Sequence, residues 1–304
     1  MISGDAGLAA DAVRPNFLGI GPGKAGTTWL YQVLKEHPEV GLAAAKETLY
    51  FTSEYHRGIE WYLRLFRGCR GRLAVGEVSN VYIFDAAAAD RIRAFNPAMR
   101  LISCLRDPVD RAFSHYLFLA RNGQVDGTFE EVIASSPDLL ERGEYFRLLQ
   151  PWLRSFAPEQ ILLLVFDDLR DRPEEVTRRL FEFIDVDPGF QPPSIRQRAL
   201  AASAPRNRTV ARLVKVGALA VRRLGRPEWV QLVKQSGLAR LLYRPLGREE
   251  YPRLAPATRL QLQDRFRGDV RQLSALVGRD LESLWFDRRD TAGGRQRLPR
   301  VAVP

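Results

Sequence analysis

Phe17-Leu18-Gly19-Ile20-Gly21-Pro22-Gly23-Lys24-Ala25-Gly26-Thr27-Thr28-Trp29-Leu30 is the stretch that decides the fold. Phe17–Gly21 reads as a short strand and Gly26–His37 as a helix ended by Pro38, with a glycine-rich turn between them. Strand, glycine turn and helix in that order grip an anion, because turn N–H groups and the positive end of the helix dipole face the same point. A nucleoside-triphosphate loop reads G-x-x-x-x-G-K-[ST]. Gly21 and Gly26 keep that spacing, but Thr27 fills the lysine position and Lys24 lies three residues earlier. The lysine that would reach β- and γ-phosphates is missing, which implies a different phosphate-bearing donor. Of 46 Lys+Arg only five are lysine, namely Lys24, Lys35, Lys46, Lys215 and Lys234. A lysine in this turn therefore points to a need for a compact ammonium rather than a planar guanidinium.

The chain of 304 residues, 45% hydrophobic, is long enough for one large core. Mean hydropathy of −0.23 and 27% charged residues describe a soluble protein. No run reaches the roughly 18 apolar residues of a membrane span, and Met1–Pro15 lacks the pattern of a signal peptide. A cytoplasmic location is the expectation. Cys69 and Cys104 are expected to be buried thiols. Three histidines and two cysteines make a soft-metal site an unneeded assumption. The net charge of +10 is concentrated in residues 196–253, which hold 14 basic and 3 acidic residues. Such a segment attracts an anionic partner or forms a solvated helix face.

Strands and helices alternate along the first two-thirds. Leu73–Val78, Met99–Leu105 and Gln160–Phe166 read as strands, the last with the continuous apolar run of a parallel sheet covered on both faces. Helices are expected over Asp85–Phe95 with Asp85 as cap, Pro108–Arg121 with Asp107 as cap, Tyr145–Phe156 and Pro173–Ile184. This alternation predicts a three-layer α/β fold around a central parallel sheet. Helical patterns at about 209–224, 229–241 and 256–277 predict a basic helical C-terminal region. The expected organisation is a flexible N-terminus (1–15), one domain (16–287) with a basic lid (196–253), and a disordered tail (288–304).

The second informative stretch is Leu105-Arg106-Asp107-Pro108-Val109-Asp110-Arg111-Ala112-Phe113-Ser114-His115-Tyr116. Arg106 follows a strand, at the carboxyl edge where open α/β sheets bind ligands. Arg106 can fork onto a phosphate while Ser114, about two turns into the next helix, donates to the same group. Taken alone, R-D-P fits equally well an arginine paired with a nearby carboxylate.

The two motifs together resemble those of sulfotransferases that use 3′-phosphoadenosine 5′-phosphosulfate (PAPS), in a bacterial pattern closest to the glycosaminoglycan-type branch. G-P-G-K-A-G-T-T-W-L is similar to that family's 5′-phosphosulfate loop and R-D-P-V-D-R-A-F-S-H-Y to its 3′-phosphate segment. Supporting matches are Lys46-Glu47-Thr48-Leu49-Tyr50-Phe51, Gly76-Glu77-Val78-Ser79 with Tyr82, and Arg142-Gly143-Glu144-Tyr145 leading to Trp152. Tyr251-Pro252 through Gly278-Arg279-Asp280-Leu281 and Trp285 resembles the closing helix of bacterial members.

The resemblance implies sulfuryl transfer to a hydroxyl or amine by in-line displacement, releasing 3′-phosphoadenosine 5′-phosphate, without a metal. It implies donor contacts at Lys24, Ala25, Gly26, Thr27, Thr28, Trp29, Arg106, Ser114 and Arg208, with Lys24 neutralising the departing oxygen and Glu47 as general base. A surface carboxylate paired with Lys46 is the competing reading of Glu47. Acceptor contacts fall on Tyr50, Phe51, Glu77, Ser79 and Tyr82. The chain departs from glycosaminoglycan-type relatives at Leu49 (often His), Val78 (often Lys) and Ser79-Asn80 (often Ser-Pro). These changes fit a less polar acceptor, and the aromatics Tyr50, Phe51, Tyr55, Trp61 and Tyr62 are either its pocket or core. A small molecule, a lipid or a glycan all remain open as acceptor, and the basic helix 209–224 is either a membrane-surface contact or a lid. Two other classes compete: a P-loop kinase or NTPase, opposed by Thr27, and a nucleic-acid or membrane-binding module. No recognition-helix signature supports nucleic acid as a partner.

Overall fold

A computed structural model describes residues 12–196, 203–205, 243–245 and 253–287. Five parallel strands form the central sheet: β1 (Phe17–Gly21), β2 (Val40–Leu42), β3 (Ala74–Val78), β4 (Arg100–Leu105) and β5 (Ile161–Val165). Their order is β2-β3-β1-β4-β5. From β1 the chain passes to the edge strand β2, returns inward to β3 and then crosses to β4 on the other side, so the switch lies at β1 and β4, where open sheets leave a crevice. A small antiparallel pair, β6 (Ser203–Pro205) with β7 (Tyr243–Pro245), accompanies the sheet.

Strand alternation splits the apolar residues between two faces. Phe17, Ile102 and Cys104 face one layer; Leu18, Ile20, Leu101 and Leu105 face the other. The first layer is closed by α1 (Thr27–Glu36), whose Trp29, Leu30, Val33 and Leu34 lie at core spacing, and by α9 (Pro173–Phe183) with Val176, Leu180 and Phe181. The second is closed by α3 (Ala86–Phe95), α4 (Pro108–Arg121), α7 (Tyr145–Ser155), α10 (Pro256–Val277) and α11 (Leu281–Phe286), among others. Helix α10 joins this core through Leu262, Phe266, Val270 and Leu273. It also caps α7 from outside, since Asp269 accepts from the N–H groups of Phe146 and Arg147 at 3.0 Å each. No helix among the described residues is long and apolar enough to cross a membrane.

The expected helix Pro108–Arg121 is present with Asp107 as its cap, as is Asp85 before α3. Four differences matter. Strand β2 has three residues, too few to show a period. Two short helices, α2 (Ile59–Arg64) and α8 (Phe166–Asp171), flank the sheet, and α5 (Phe129–Ser135) with α6 (Asp138–Glu141) fills the connection from α4 to α7. Strand β5 is an edge strand, and Ile161, Leu162 and Leu163 are only half-buried rather than covered on both faces. Residues 12–15, expected to be flexible, belong to the fold: Val13 packs on the core and Arg14 donates to the Phe95 carbonyl. Cys69 and Cys104 are buried free thiols. The expected tail 288–304, helices 209–224 and 229–241 and most of the basic lid 196–253 lie outside the described residues.

The sheet tolerates no side chain at Gly76, where an added Cβ would stand 2.2 Å from the Phe17 carbonyl oxygen on the neighbouring strand. Gly76→Ala is expected to destabilise the fold by about 2 kcal/mol or more through overpacking, read as a lowered urea midpoint.

Candidate active site

The site grows from two adjacent strand ends. In register, Gly21 of β1 stands opposite Ser103 of β4, and the Ser103 hydroxyl donates to the Gly21 carbonyl at 2.8 Å. Just beyond, an Arg106 Nη donates to the Lys24 carbonyl at 3.1 Å. The same guanidinium lies 4.8 Å from the Phe166 ring centroid and 4.0 Å from the Asp110 carboxylate. The two motifs, far apart in sequence, are thus one surface. Arg259 of α10 braces it, donating to Asp110 at 2.8 Å and lying 3.6 Å from Asp107. Burial and the neighbouring Asp110 push the Asp107 carboxyl up to about 7.

The turn is shaped by residues in the left-handed region. Gly21 and Gly26 have φ of 105° and 103°, and Lys24 has φ of 72°. An added Cβ would stand 2.7 Å from the Asn80 carbonyl oxygen at Gly21, and 2.8 Å from Leu169 at Gly26. The Leu30 N–H closes the first turn of α1 onto the Gly26 carbonyl at 3.0 Å. That leaves the N–H groups of Thr27, Thr28 and Trp29 at the helix start, with no side-chain cap and no acidic residue in the first turn. Uncapped donors at a helix N-terminus suit a phosphate. Ala25 and the Trp29 indole are committed elsewhere. Ala25 is fully buried, and the indole N–H donates to the Ile195 carbonyl at 3.0 Å. These two residues therefore offer main chain rather than side chain to a ligand.

The Lys24 ammonium sits 3.6 Å from the centroid of Phe118, a ring that is 44% exposed. Burial lowers the Lys24 pKa to about 8; Glu47 opposes the shift, while Arg121, Lys46 and Arg106 add to it. Glu47 is therefore within electrostatic reach of Lys24. Its carboxylate accepts a hydrogen bond from the Asn80 amide. Glu47 and Leu49 have φ of 61° and 60°, a conformation that costs a non-glycine residue about 1–3 kcal/mol. The Lys46 ammonium reaches the Thr28 hydroxyl at 3.5 Å and lies 5.3 Å from the Tyr31 ring centroid. Ser114 lies half-buried on α4. Its neighbour His115 is driven down to about 3 by burial and by Arg111, Arg142 and Lys24, so it is neutral near pH 7.

The side chains expected from the sequence as acceptor contacts are buried in this structure. Phe51, Glu77, Ser79 and Tyr82 are almost wholly inaccessible, and Tyr50 is 4% exposed. Tyr50 stacks on Tyr62 at 4.4 Å between centroids, and Phe51 meets Tyr62 and Tyr82 edge-on. This aromatic cluster, Trp61 included, is core, and only Tyr55 of the set is exposed. Arg208 lies outside the described residues. Three neighbours of the site were not singled out as ligands from the sequence: Lys46, Asn80 and Phe118. The scarcity of lysine was a usable signal for Lys46. Nothing in spacing or composition marked the other two.

Comparison with known proteins places this geometry. A family model described as the sulfotransferase domain matches residues 14–212. The chain belongs to the sulfotransferase family. The membrane-associated sulfotransferase kil1 of Dictyostelium discoideum is 37% identical over 136 residues, 42% of this chain and 29% of that protein. The bifunctional heparan sulfate N-deacetylase/N-sulfotransferase 1 of Mus musculus is 28% identical over 86% of this chain and 29% of its own length. The heparan sulfate glucosamine 3-O-sulfotransferase 3B1 of the same species is 31% identical over 57% and 46%. The matches thus span less than half the length of these curated relatives. The crystal structure of a sulfotransferase from Alicyclobacillus acidocaldarius superposes with a TM-score of 0.66, at 25% identity, covering 90% of this chain and 99% of that one. A three-layer α/β sulfotransferase fold follows.

The ammonium at the centre of this sulfotransferase site can be observed directly. In a pH titration followed by NMR of ¹³C-dimethylated lysines, the Lys24 resonance is expected to have a midpoint near pH 8. A midpoint above about 10, the ordinary lysine range, would contradict the burial described here.

Proposed function

We propose that this sulfotransferase moves a sulfuryl group from PAPS to a hydroxyl or amine, with Glu47 as general base. The observation that carries the reading is the Arg106 hydrogen bond to the Lys24 carbonyl. It fixes the cation of the second motif beside the loop of the first, as a ligand with phosphates at both the 5′ and 3′ positions requires. The fit of the nucleotide rests on the three uncapped N–H groups opening α1 and on the glycine cradle at Gly21 and Gly26. The 5′-phosphate would take those N–H groups with Thr27 and Thr28, and the 3′-phosphate would take Arg106 and Ser114. When bound, the donor supplies an electrophilic sulfur and a leaving phosphate.

The chain's own residues do the rest. The Lys24 ammonium, turned from Phe118 toward the nucleotide, would neutralise the charge that gathers on the departing oxygen, in a partly desolvated site where such neutralisation is worth more than in water. Glu47, within electrostatic reach of Lys24 and held by the Asn80 amide, takes the proton of the attacking group. General-base help of this kind is worth roughly 10²–10⁴-fold. The aromatic cluster being core, the case for a less polar acceptor rests on the departures at Leu49, Val78 and Asn80 alone. The surroundings of Glu47 are Lys24, Lys46 and Asn80, and glycans of the class named in the heparan sulfate relatives are the first acceptors to assay. Small molecules and lipids are the other arms of that assay.

Calorimetric titration with 3′-phosphoadenosine 5′-phosphate and with 5′-AMP tests the donor. The bisphosphate is expected to bind at least about ten-fold tighter, a difference that Arg106→Ala erases. Equal affinity for both nucleotides would exclude the 3′-phosphate site. For the chemistry, Glu47→Gln is expected to lower turnover of labelled donor by about 10²-fold or more while leaving bisphosphate affinity within about two-fold.

A further inference from the structure

Glu77 and Asn80 stand at the carboxyl end of β3 and reach the Glu47 loop by two routes. The Glu77 carboxylate is fully buried yet fully engaged. One oxygen accepts from the Thr48 N–H at 3.1 Å; the other accepts from the hydroxyls of Thr48 at 2.8 Å, Tyr82 at 2.9 Å and Tyr62 at 3.0 Å. Thr48 is the residue between Glu47 and Leu49, two of the four described non-glycine residues held in the left-handed region. Two hydrogen bonds to one ionisable group thus clamp the centre of a strained segment, and such strain persists only where its surroundings over-determine it. The Thr48 hydroxyl also lies 3.1 Å from that of Tyr82 and accepts from the Tyr50 N–H at 3.2 Å, so the clamp extends to the far side of Leu49.

The second route is shorter. The Asn80 amide donates to a Glu47 carboxylate oxygen, while the Asn80 carbonyl accepts from the Gly23 N–H at 3.2 Å. Gly21 packs against that same carbonyl, where a Cβ would be 2.7 Å away. Asn80 therefore joins the carboxylate of one loop to the backbone of the Lys24 loop. Burial raises the Glu77 pKa while its hydrogen bonds from Thr48, Tyr82 and Tyr62 oppose the rise.

We propose that Glu77 and Asn80 are positioning residues for Glu47, Glu77 holding its backbone through Thr48 and Asn80 holding its carboxylate against the Lys24 loop. This rests on the reading of Glu47 as the base. The buried carboxylate that the sequence placed at an acceptor contact thus acts on the reaction from behind the site.

The test uses the full chain, with water and a desulfated heparosan-type glycan as acceptors for labelled donor. Thr48→Val removes the hydroxyl without changing side-chain shape, Thr48→Ser restores it, and Asn80→Ala removes the amide. Thr48→Val and Asn80→Ala are each expected to lower kcat about ten-fold or more, as misplacement of a reacting group does. The donor KM and the bisphosphate affinity should stay close to wild type while the Tm of Thr48→Val falls, and Thr48→Ser should recover most of the kcat. Hydrogen exchange in the peptide spanning residues 46–51 should accelerate in the two damaging variants and nowhere else. If Glu47→Gln abolishes turnover but Thr48→Val and Asn80→Ala keep wild-type kcat and exchange, the positioning role is wrong and the base survives. If Glu47→Gln itself keeps wild-type turnover, the base reading fails first and the positioning role with it. Equal losses of kcat, donor affinity and Tm in Thr48→Val and Asn80→Ala would reduce both residues to structural supports.

Discussion

The pairing of β1 with β4 is the constraint on which the site depends. Two strands separated by two others in the chain run side by side, and their carboxyl ends deliver the glycine turn and Arg106 to one crevice. The Ser103 hydroxyl on the Gly21 carbonyl and Arg106 on the Lys24 carbonyl extend that pairing past the last ladder bond. A parallel sheet buried on both faces makes a slip in this register expensive, because it would exchange the residues facing the two cores. Precision at the crevice is thus inherited from the packing of Phe17, Leu18, Ile20, Leu101 and Ile102.

The candidate base is placed by a different principle. Glu47 lies on an irregular segment, and irregular backbone holds a fixed shape only when its polar groups are satisfied. Here the partner is a buried carboxylate ringed by two tyrosines and a threonine, within an aromatic cluster that excludes water. Leaving such a carboxylate unpaired in the core would be costly. The network is complete, so it rigidifies the segment instead.

Much of this was legible in the sequence. The strand–turn–helix of β1 and α1, the Asp107 cap and the position of Arg106 at a strand end follow from short-range signals, since glycine spacing, proline at the first helical position and an apolar run each act within a few residues. The meaning of Glu77, Tyr50 and Tyr82 was not legible. Motif matching placed them near the acceptor, whereas their roles depend on which way side chains point from β3 and from the Glu47 segment, and that is decided by tertiary packing. Asn80 escaped for a similar reason: its side chain and main chain act on two loops that sequence alone does not bring together. Strand β2 is too short for a period, and the edge position of β5 depends on sheet order, which its apolar run does not encode.

On this reading one crevice holds both ends of an adenosine bisphosphate. A crystal structure of the protein with 3′-phosphoadenosine 5′-phosphate measures this most directly. The 5′-phosphate is expected on the N–H groups of Thr27, Thr28 and Trp29 and the 3′-phosphate on Arg106 and Ser114, with Lys24 turned from Phe118 toward the 5′ end. A nucleotide bound elsewhere, or bound at the loop with its 3′-phosphate in solvent away from Arg106, would contradict it.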